Sequence, residues 1–246
     1  MQNMNYTKLT YSNTLNVIDL PKHHQNKHPP PAPIDTHKIK YKFEPNYVNA
    51  TLICVGSIAR RAGVNTTVIG SGIISKGDRI TPGANWRFVR GPHTQHHVNR
   101  LGGNCPAVFG DPALLLPKIY NPTITKKHKI SYVPHNVDFA EISQKYENVI
   151  NLRTSDYKRV VDKILESEFI VSSSLHGLIV AHAYGIPAAW ARSHNNLKGD
   201  NVKFEDYFAS VNLNCEVSSY DSPKFCLPNN INITTIEEIL EEIANL

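Results

Sequence analysis

The segment EFIVSSSLHGLIVAHAYGIPAAW, residues 168–190, has the pattern of a strand, a helix and a second strand. Its apolar start at Phe169–Val171 predicts a buried strand, and the hydroxyls of Ser172–Ser174 can cap a following helix. Gly185 predicts the end of that helix, before a second apolar strand at Ala188–Trp190. Because connections between parallel strands are right-handed, this order predicts a βαβ unit in a parallel sheet.

The same alternation of short apolar runs and longer amphipathic stretches continues along most of the chain. The other predicted strands are Leu52–Val55, Thr67–Ile69, Trp86–Val89, Ile130–Val133 and Val149–Leu152. The predicted helices are His93–Leu101, Phe139–Tyr146, Ser155–Leu165, Leu175–Tyr184, Phe204–Ser210 and a final Thr235–Leu246 that can pack on either side. Strands that alternate with helices predict a doubly wound α/β fold with parallel sheets covered on both faces.

Two segments interrupt this pattern. Residues 21–45, PKHHQNKHPPPAPIDTHKIKYKFEP, are rich in proline, histidine and lysine and poor in aliphatic residues, which predicts an exposed loop. Residues 110–129 are turn-rich and basic. They mark the expected boundary between an N-terminal lobe, residues 1–118, and a C-terminal lobe, residues 119–246.

Composition limits the classes of function. No apolar run approaches the roughly 20 residues that span a bilayer, and the N-terminus resembles no secretory signal, so a soluble cytoplasmic protein is expected. The four cysteines are widely spaced, which predicts reduced thiols. The formal net charge of +5 suits an anionic substrate or an acidic membrane surface, and it is too mild to favour nucleic-acid binding.

Polar residues follow several of the predicted strands, at the edge where open parallel sheets bind ligands. His176 opens a helix, so it would stand beside an anion bound at the helix N-terminus. Arg90 ends a strand, and arginine suits the recognition of carboxylate or phosphate through paired hydrogen bonds. Both residues also have structural alternatives, because His176 could cap or pack and Arg90 could be a surface residue.

Three weaker signals accompany them. VIGSGI at 68–73 allows a close backbone approach to a ligand or a strand, although a tight turn explains it better. Lys203 precedes an amphipathic helix and by itself is interpreted as a solvated lysine. The histidines within 93–97 place only two imidazoles on one helix face, so no metal site is predicted.

Together these segments resemble the polysaccharide pyruvyltransferase family, especially its short exopolysaccharide-type members. SSSLHGLIVAHAYGIPAAW resembles the family signature S-x-x-H-G-x-I-x-A-x-x-x-G-x-P, which is long enough to be fairly specific. Further segments match in the family's order: VGSI at 55–58, IGSGI at 69–73, VRGPHTQ at 89–95, GDPALLLP at 110–117, YVPHNVD at 132–138 and KFEDYF at 203–208. The resemblance covers residues 52–210.

The resemblance implies two Rossmann-like lobes, like those of the GT-B type glycosyltransferases, with the acceptor on the N-terminal lobe and the donor on the C-terminal lobe. It implies no cofactor, because the donor substrate is phosphoenolpyruvate. The implied catalytic residues are His176, Arg90 and Lys203. The predicted substrate-binding residues are Ser172, Ser173, Ser174, Leu175, Gly177, Gly70, Ser71, Gly72, Arg153, His135 and Asp19. A structural turn is an equal alternative for His135.

Two departures from the family pattern matter. Ser174 stands where some members carry an arginine, so Arg153 is the predicted substitute contact for a carboxylate or phosphate. Ile18 stands beside Asp19 where the family's N-x-G-D turn has its glycine, and a turn that needs positive φ would be strained there. The acceptor loop is therefore expected to differ, or catalysis to be impaired.

The implied reaction moves an enolpyruvate unit from phosphoenolpyruvate to hydroxyls of a sugar in a glycan or glycan precursor, forms a pyruvate ketal and releases phosphate. The expected acceptor is a sugar or a lipid-linked oligosaccharide, and a lipid-linked one would bring the protein to the inner face of the membrane. Two alternatives stay open: a catalytically impaired protein that binds a sugar or an anion, and a glycosyltransferase that uses a nucleotide sugar. The latter needs a base and ribose pocket, for which the sequence has no clear mark.

Overall fold

The computed structural model describes residues 7–10, 41–43, 51–195 and 197–244. These residues form a mixed α/β fold with two sheets, which confirms the predicted fold class. The first sheet has five parallel strands in the order β2-β1-β3-β4-β5. Their bounds are β1 Thr7–Thr10, β2 Tyr41–Phe43, β3 Leu52–Ile53, β4 Thr67–Ile69 and β5 Asn85–Phe88.

The second sheet has the order β6-β7-β8-β9. Its strands are β6 His128–Val133, β7 Ser167–Ser172, β8 Ala188–Trp190 and β9 Phe225–Cys226. The first three are parallel, as predicted, and β9, which the sequence did not predict, adds an antiparallel strand at the edge of this sheet. The predicted strand Val149–Leu152 makes only an isolated bridge from Val149 to Tyr132, because Asn148 (φ 54°) turns the backbone just before it.

The predicted helices are all present, with small shifts at their ends. Within the described ranges, the α-helices are α1 Pro92–Arg100, α2 Leu116–Ile119, α3 Phe139–Lys145, α4 Tyr157–Leu165, α5 Leu175–Ala183, α6 Val202–Ser210 and α7 Thr234–Ala244. On α4, Val160, Val161 and Ile164 are buried, and their spacing places them on one face. By contrast, α5 is buried from Leu175 to His182, because it packs between the second sheet and the turn at Pro112–Leu115.

The final helix, α7, packs on the first sheet. Ile236 is buried against Leu52, Val55 and Phe88, and further apolar residues of α7 pack beside it. Helix α7 thus packs against the N-terminal half of the chain. Along the sequence, the strands of the first sheet precede residue 118 and those of the second sheet follow it. The lobe boundary at 118/119 itself stays a prediction.

Two local expectations were wrong. Residues 41–43, inside the predicted exposed loop, form strand β2, because the alternating aromatic residues of Tyr41–Phe43 suit a strand. The remainder of 21–45 lies outside the described residues. Cys215 and Cys226, predicted to be reduced, form a disulfide, because the chain after α6 returns as β9 and brings their Cα atoms to 6.1 Å. Cys54 and Cys105 are free and buried.

No helix in the described ranges is both long and apolar enough to cross a bilayer. The cytoplasmic location stays a prediction.

Candidate active site

His176 lies in the first turn of α5 and faces Asp111 from the other half of the chain. The distance from His176 Nε2 to Asp111 Oδ2 is 3.5 Å, and both side chains are buried. Neither atom has a hydrogen-bond partner among the described residues. The other carboxylate oxygen of Asp111, Oδ1, fixes the side chain, because it accepts a hydrogen bond from the backbone N–H of Ala113 at 2.9 Å. The pair thus places a fixed carboxylate oxygen beside an imidazole nitrogen, and neither atom has another hydrogen-bond partner in the described part of the chain.

The Ser172–Ser174 turn joins β7 to α5. Ser172 Oγ lies 2.6 Å from Val133 O and accepts a hydrogen bond from the Ser174 N–H. Ser173 Oγ donates to Asp138 Oδ2 at 2.6 Å. Ser174 Oγ is buried without a partner in the described part of the chain. Of the three predicted hydroxyl ligands, only Ser174 therefore has its hydroxyl free for a ligand.

Leu175 and Gly177 have packing roles in α5. Leu175 is a buried core residue. A Cβ on Gly177 would lie 2.3 Å from Ser172 Oγ and 2.8 Å from a methyl of Val133, so this glycine lets α5 approach the strands closely. The approach keeps the N-terminus of α5, with its free N–H groups and partial positive charge, against the carboxyl ends of β6 and β7.

Arg90 is completely buried after β5 and binds residues of both halves of the chain. Its Nε and Nη2 lie 3.1 and 3.0 Å from Asp206 Oδ2 on α6. Nη1 donates to Ser57 Oγ at 2.7 Å, and Nη2 donates to Ile73 O at 2.8 Å. Thr94 adds two hydrogen bonds to the same carboxylate. Most of the guanidinium donors are therefore used inside the protein.

Three of the predicted substrate-binding residues, Gly70, Ser71 and Gly72, lie near this ion pair. Ser71 Oγ donates to Gly56 O at 2.8 Å, which ties two loops of the first sheet together. Gly70, with φ +80°, leaves room for Pro112 beside Asp111. Gly72 lies against the Arg90 guanidinium.

Adding a methyl group at Gly72 tests how tightly this cluster is packed. A Cβ there would lie 2.3 Å from Arg90 Cζ, so Gly72→Ala must displace the buried guanidinium. We expect the free energy of unfolding in urea to fall by about 1–3 kcal/mol. Gly63→Ala is the matched control, since its Cβ would meet only Thr66 Oγ1 at 3.7 Å. Equal stability of the two variants would contradict the tight packing.

Lys203, on α6, is only 7% exposed. Its ammonium lies 5.2 Å from the centre of the Phe204 ring, and in the described part of the chain no carboxylate pairs with it. Burial, helped by the charge of Arg90, lowers its pKa from 10.5 to about 8. Lys203 is thus a buried cation that an incoming anion would stabilise.

His135 and Arg153 extend the positively charged region. Burial first, and then the charge of Lys203, lowers the pKa of His135 to about 4, and Arg153 contributes in the same direction. Arg153 is exposed, and its Nη2 donates to Asn136 O at 3.2 Å. The structure therefore brings Arg90 within electrostatic reach of Lys203, and Lys203 and Arg153 within electrostatic reach of His135.

The face of α6 links this region to the His176–Asp111 pair. Tyr207 is one turn beyond Lys203, so the two share a helix face. Burial and the charge of Asp111 raise the Tyr207 pKa well above its usual value. Trp190 stacks on Phe204 at 4.7 Å and holds α6 against the second sheet. The site therefore lies where β7, α5, α6 and the Asp111 turn converge.

Two functional candidates were missed from the sequence: Asp111 and Asp206. Both lie in matched segments, GDPALLLP and KFEDYF, but only their partners Arg90 and His176 had been singled out. A carboxylate within a motif shared with the family could have been the signal. Asp19 lies outside the described residues. In the described ranges no group of three metal-ligating side chains occurs, and His97 is engaged by Asp78 O at 2.7 Å.

Comparison with known proteins identifies the family. The family model for polysaccharide pyruvyl transferase matches residues 8–196, so the chain belongs to this family. It is similar to the uncharacterized protein L143 of Acanthamoeba polyphaga mimivirus, with 29% identity over 73% of this chain and 66% of the relative. It is also similar to the succinoglycan biosynthesis protein ExoV of Rhizobium meliloti (strain 1021), with 30% identity over 70% of this chain and 57% of the relative.

The chain thus spans less than two thirds of the length of these two relatives. No solved structure matches it significantly.

Proposed function

We propose that the protein is a pyruvyltransferase that moves enolpyruvate from phosphoenolpyruvate to two hydroxyls of a sugar. The observation that carries this proposal is the His176–Asp111 pair, whose facing atoms are buried and unpartnered at the N-terminus of α5. Membership of the family and the similarity to a polysaccharide biosynthesis protein support a glycan acceptor.

The donor carries a carboxylate and a phosphate, so its site needs positive charge without an internal partner. Lys203 meets that condition, and the N-terminus of α5 adds backbone N–H groups and the hydroxyl of Ser174. Arg90 adds positive electrostatic potential near Lys203, although most of its guanidinium donors already bind protein groups, above all Asp206. Arg153, near His135, is the exposed cation that can reach the carboxylate.

The reaction then needs one group that moves protons. A sugar hydroxyl adds to carbon 2 of the donor while the methylene carbon gains a proton, which gives a phosphorylated ketal. A neighbouring hydroxyl replaces the phosphate at carbon 2 and loses its proton, so that a cyclic ketal and inorganic phosphate result. His176 supplies the proton to carbon and accepts protons from the hydroxyls, and Asp111 balances its positive charge when it is protonated.

Donor binding should depend on pH through Lys203. Because the pKa of the buried ammonium is lowered to about 8, the lysine is charged below this pH and neutral above it. We expect the affinity for phosphoenolpyruvate to be highest below pH 8 and to fall as the pH rises past 8. Because the bound anion stabilises the ammonium, the decline in affinity should continue up to the higher pKa that the lysine has in the complex.

Calorimetric titration between pH 6.5 and 9.5 measures this dependence. Lys203→Arg, which stays charged, should lose the decline, whereas Lys203→Met should bind about tenfold or more weakly at pH 7. An unchanged profile in both variants would exclude Lys203 from the donor site.

The reaction itself is tested with purified protein, phosphoenolpyruvate and a panel of acceptors containing galactose, mannose or N-acetylmannosamine. We expect phosphate release that requires an acceptor, and a product heavier than the acceptor by one pyruvyl group in mass spectrometry. Absence of release with every acceptor, together with no thermal stabilisation by phosphoenolpyruvate, would refute the donor assignment.

A binding protein without catalysis is the second candidate. It is favoured by the commitment of Arg90 to Asp206 and by Ser174 at the position where some family members carry arginine. Stabilisation by phosphoenolpyruvate without phosphate release from any acceptor would identify this function.

A further inference from the structure

A separate cavity of about 260 Å³ lies beside helix α4. The residues that line it, here called the α4 cavity, are Asn151, Arg153, Thr154, Arg159, Val160 and Lys163. Its wall thus combines the loop after Ile150 with one face of the helix. None of these residues except Arg153 was assigned a role in the transferase site.

The α4 cavity carries three cations whose charge is not balanced within it. Among the described residues, no carboxylate forms an ion pair with Arg153, Arg159 or Lys163. The neighbouring acids have other partners: Asp156 accepts the Arg159 backbone N–H, and Asp162 accepts a hydrogen bond from the hydroxyl of Tyr120. Glu166 lies within electrostatic reach of Lys163 but forms its ion pair with Lys127.

The positions of the two helix cations also disfavour a purely structural role. Arg159 and Lys163 are four residues apart, so they lie on the same face of α4, where like charges destabilise a helix. An anion in the α4 cavity would relieve this repulsion. Without a bound anion, two cations on the same helix face do not stabilise the protein.

Neutral donors complete the lining. The Asn151 side-chain oxygen accepts the Arg153 N–H, which leaves its amide group free to donate. Thr154 Oγ1 accepts the Asp156 N–H, and its own hydroxyl proton can point into the cavity. A small group with several charged oxygens can therefore find donors on more than one side, with Val160 closing the apolar wall.

We propose that the α4 cavity binds a phosphate group, either free phosphate or diphosphate or the phosphate of a sugar ester. Arginine and lysine together suit phosphate, because the guanidinium offers two parallel donors and the ammonium a compact charge. The α4 cavity shares Arg153 with the proposed donor site, but its helix cations Arg159 and Lys163 have no part in that site, and phosphate binding here does not require the transferase reaction. Arg153 connects the two, because its charge also acts on His135.

Calorimetric titration with pyrophosphate, inorganic phosphate and glucose 1-phosphate tests the proposal on the intact chain. The double variant Arg159→Ala/Lys163→Ala should weaken pyrophosphate binding about tenfold or more, and raised salt should weaken it in the wild type. The matched control is Arg60→Ala/Lys129→Ala, which removes two exposed cations elsewhere and should bind as the wild type does. Phosphoenolpyruvate affinity should be unchanged in both.

Tighter binding of glucose 1-phosphate than of inorganic phosphate would assign the α4 cavity to a sugar ester, and the reverse order would assign it to the free anion. Lack of pyrophosphate binding, or equal binding in the double variant, would overturn the proposal. Parallel loss of pyrophosphate and phosphoenolpyruvate binding in the double variant would also overturn it, because the α4 cavity would then be part of the donor site.

Discussion

Replacement of His176 by glutamine is expected to lower acceptor-dependent phosphate release by about 10²- to 10⁴-fold, the usual contribution of a general acid–base group. Glutamine keeps a polar side chain at the start of α5 but cannot carry a proton between the methylene carbon and the sugar hydroxyls. Phosphoenolpyruvate should still bind, because Lys203 and the helix N-terminus remain.

Asp111→Asn tests the other half of the pair. The amide keeps the shape of the side chain and removes the charge 3.5 Å from His176 Nε2. We expect lower turnover, since the charge that would balance a protonated His176 in the proposed reaction is lost. His96→Gln, on the exposed face of α1, is the matched histidine control and should leave turnover unchanged. Near wild-type release by His176→Gln would mean that protons move by another route.

The second large effect concerns stability. Arg90→Ala or Asp206→Ala should each lower the free energy of unfolding by about 3–5 kcal/mol, because either change leaves a buried charge without its partner. Both side chains are fully buried in the pair. The double replacement should cost less than the two single costs together, since no isolated charge remains.

Urea denaturation measures these differences. Arg87→Ala is the matched control, because this arginine pairs with the exposed Glu242 at the surface and should contribute at most about 1 kcal/mol. A stable Arg90→Ala variant that no longer binds phosphoenolpyruvate would reverse the interpretation. Arg90 would then contact the donor directly, as the family resemblance implies.

Most strands and helices of the second half could be predicted from local pattern. The boundaries of β8 agree with the prediction, and α5 begins at the predicted Leu175, because apolar runs bounded by serine, glycine and proline leave few other conformations. Strand β2 was missed, since three residues in a proline-rich segment form a strand only when β1 offers hydrogen-bond partners. The antiparallel strand β9 and the Cys215–Cys226 disulfide were missed for the same reason, because each forms only when another segment of the chain packs beside it.

The candidate site could be predicted from the sequence only in part. The structure buries both His176 and Lys203, so the interpretation of Lys203 by itself as a solvated lysine was wrong. The roles that the family resemblance implies for the two residues stay predictions. Arg90 illustrates the limit, because its position after a strand predicted either recognition of an anion or a surface residue, whereas the structure buries it and pairs it with Asp206, 116 residues away. Pattern along the chain reports which residues can bind an anion, and it does not report which of them are already neutralised.

By itself, the sequence determined the alternation of strands and helices, the α/β class and the family, because these depend on residue periodicity and on motifs within short segments. Only the tertiary structure decided that Asp111 faces His176, that Arg90 is committed to Asp206 and that Lys203 has no counter-charge in the described part of the chain. The physical reason is that charge balance and desolvation depend on distances between segments far apart in sequence. Such distances are set when the two sheets and α6 pack together.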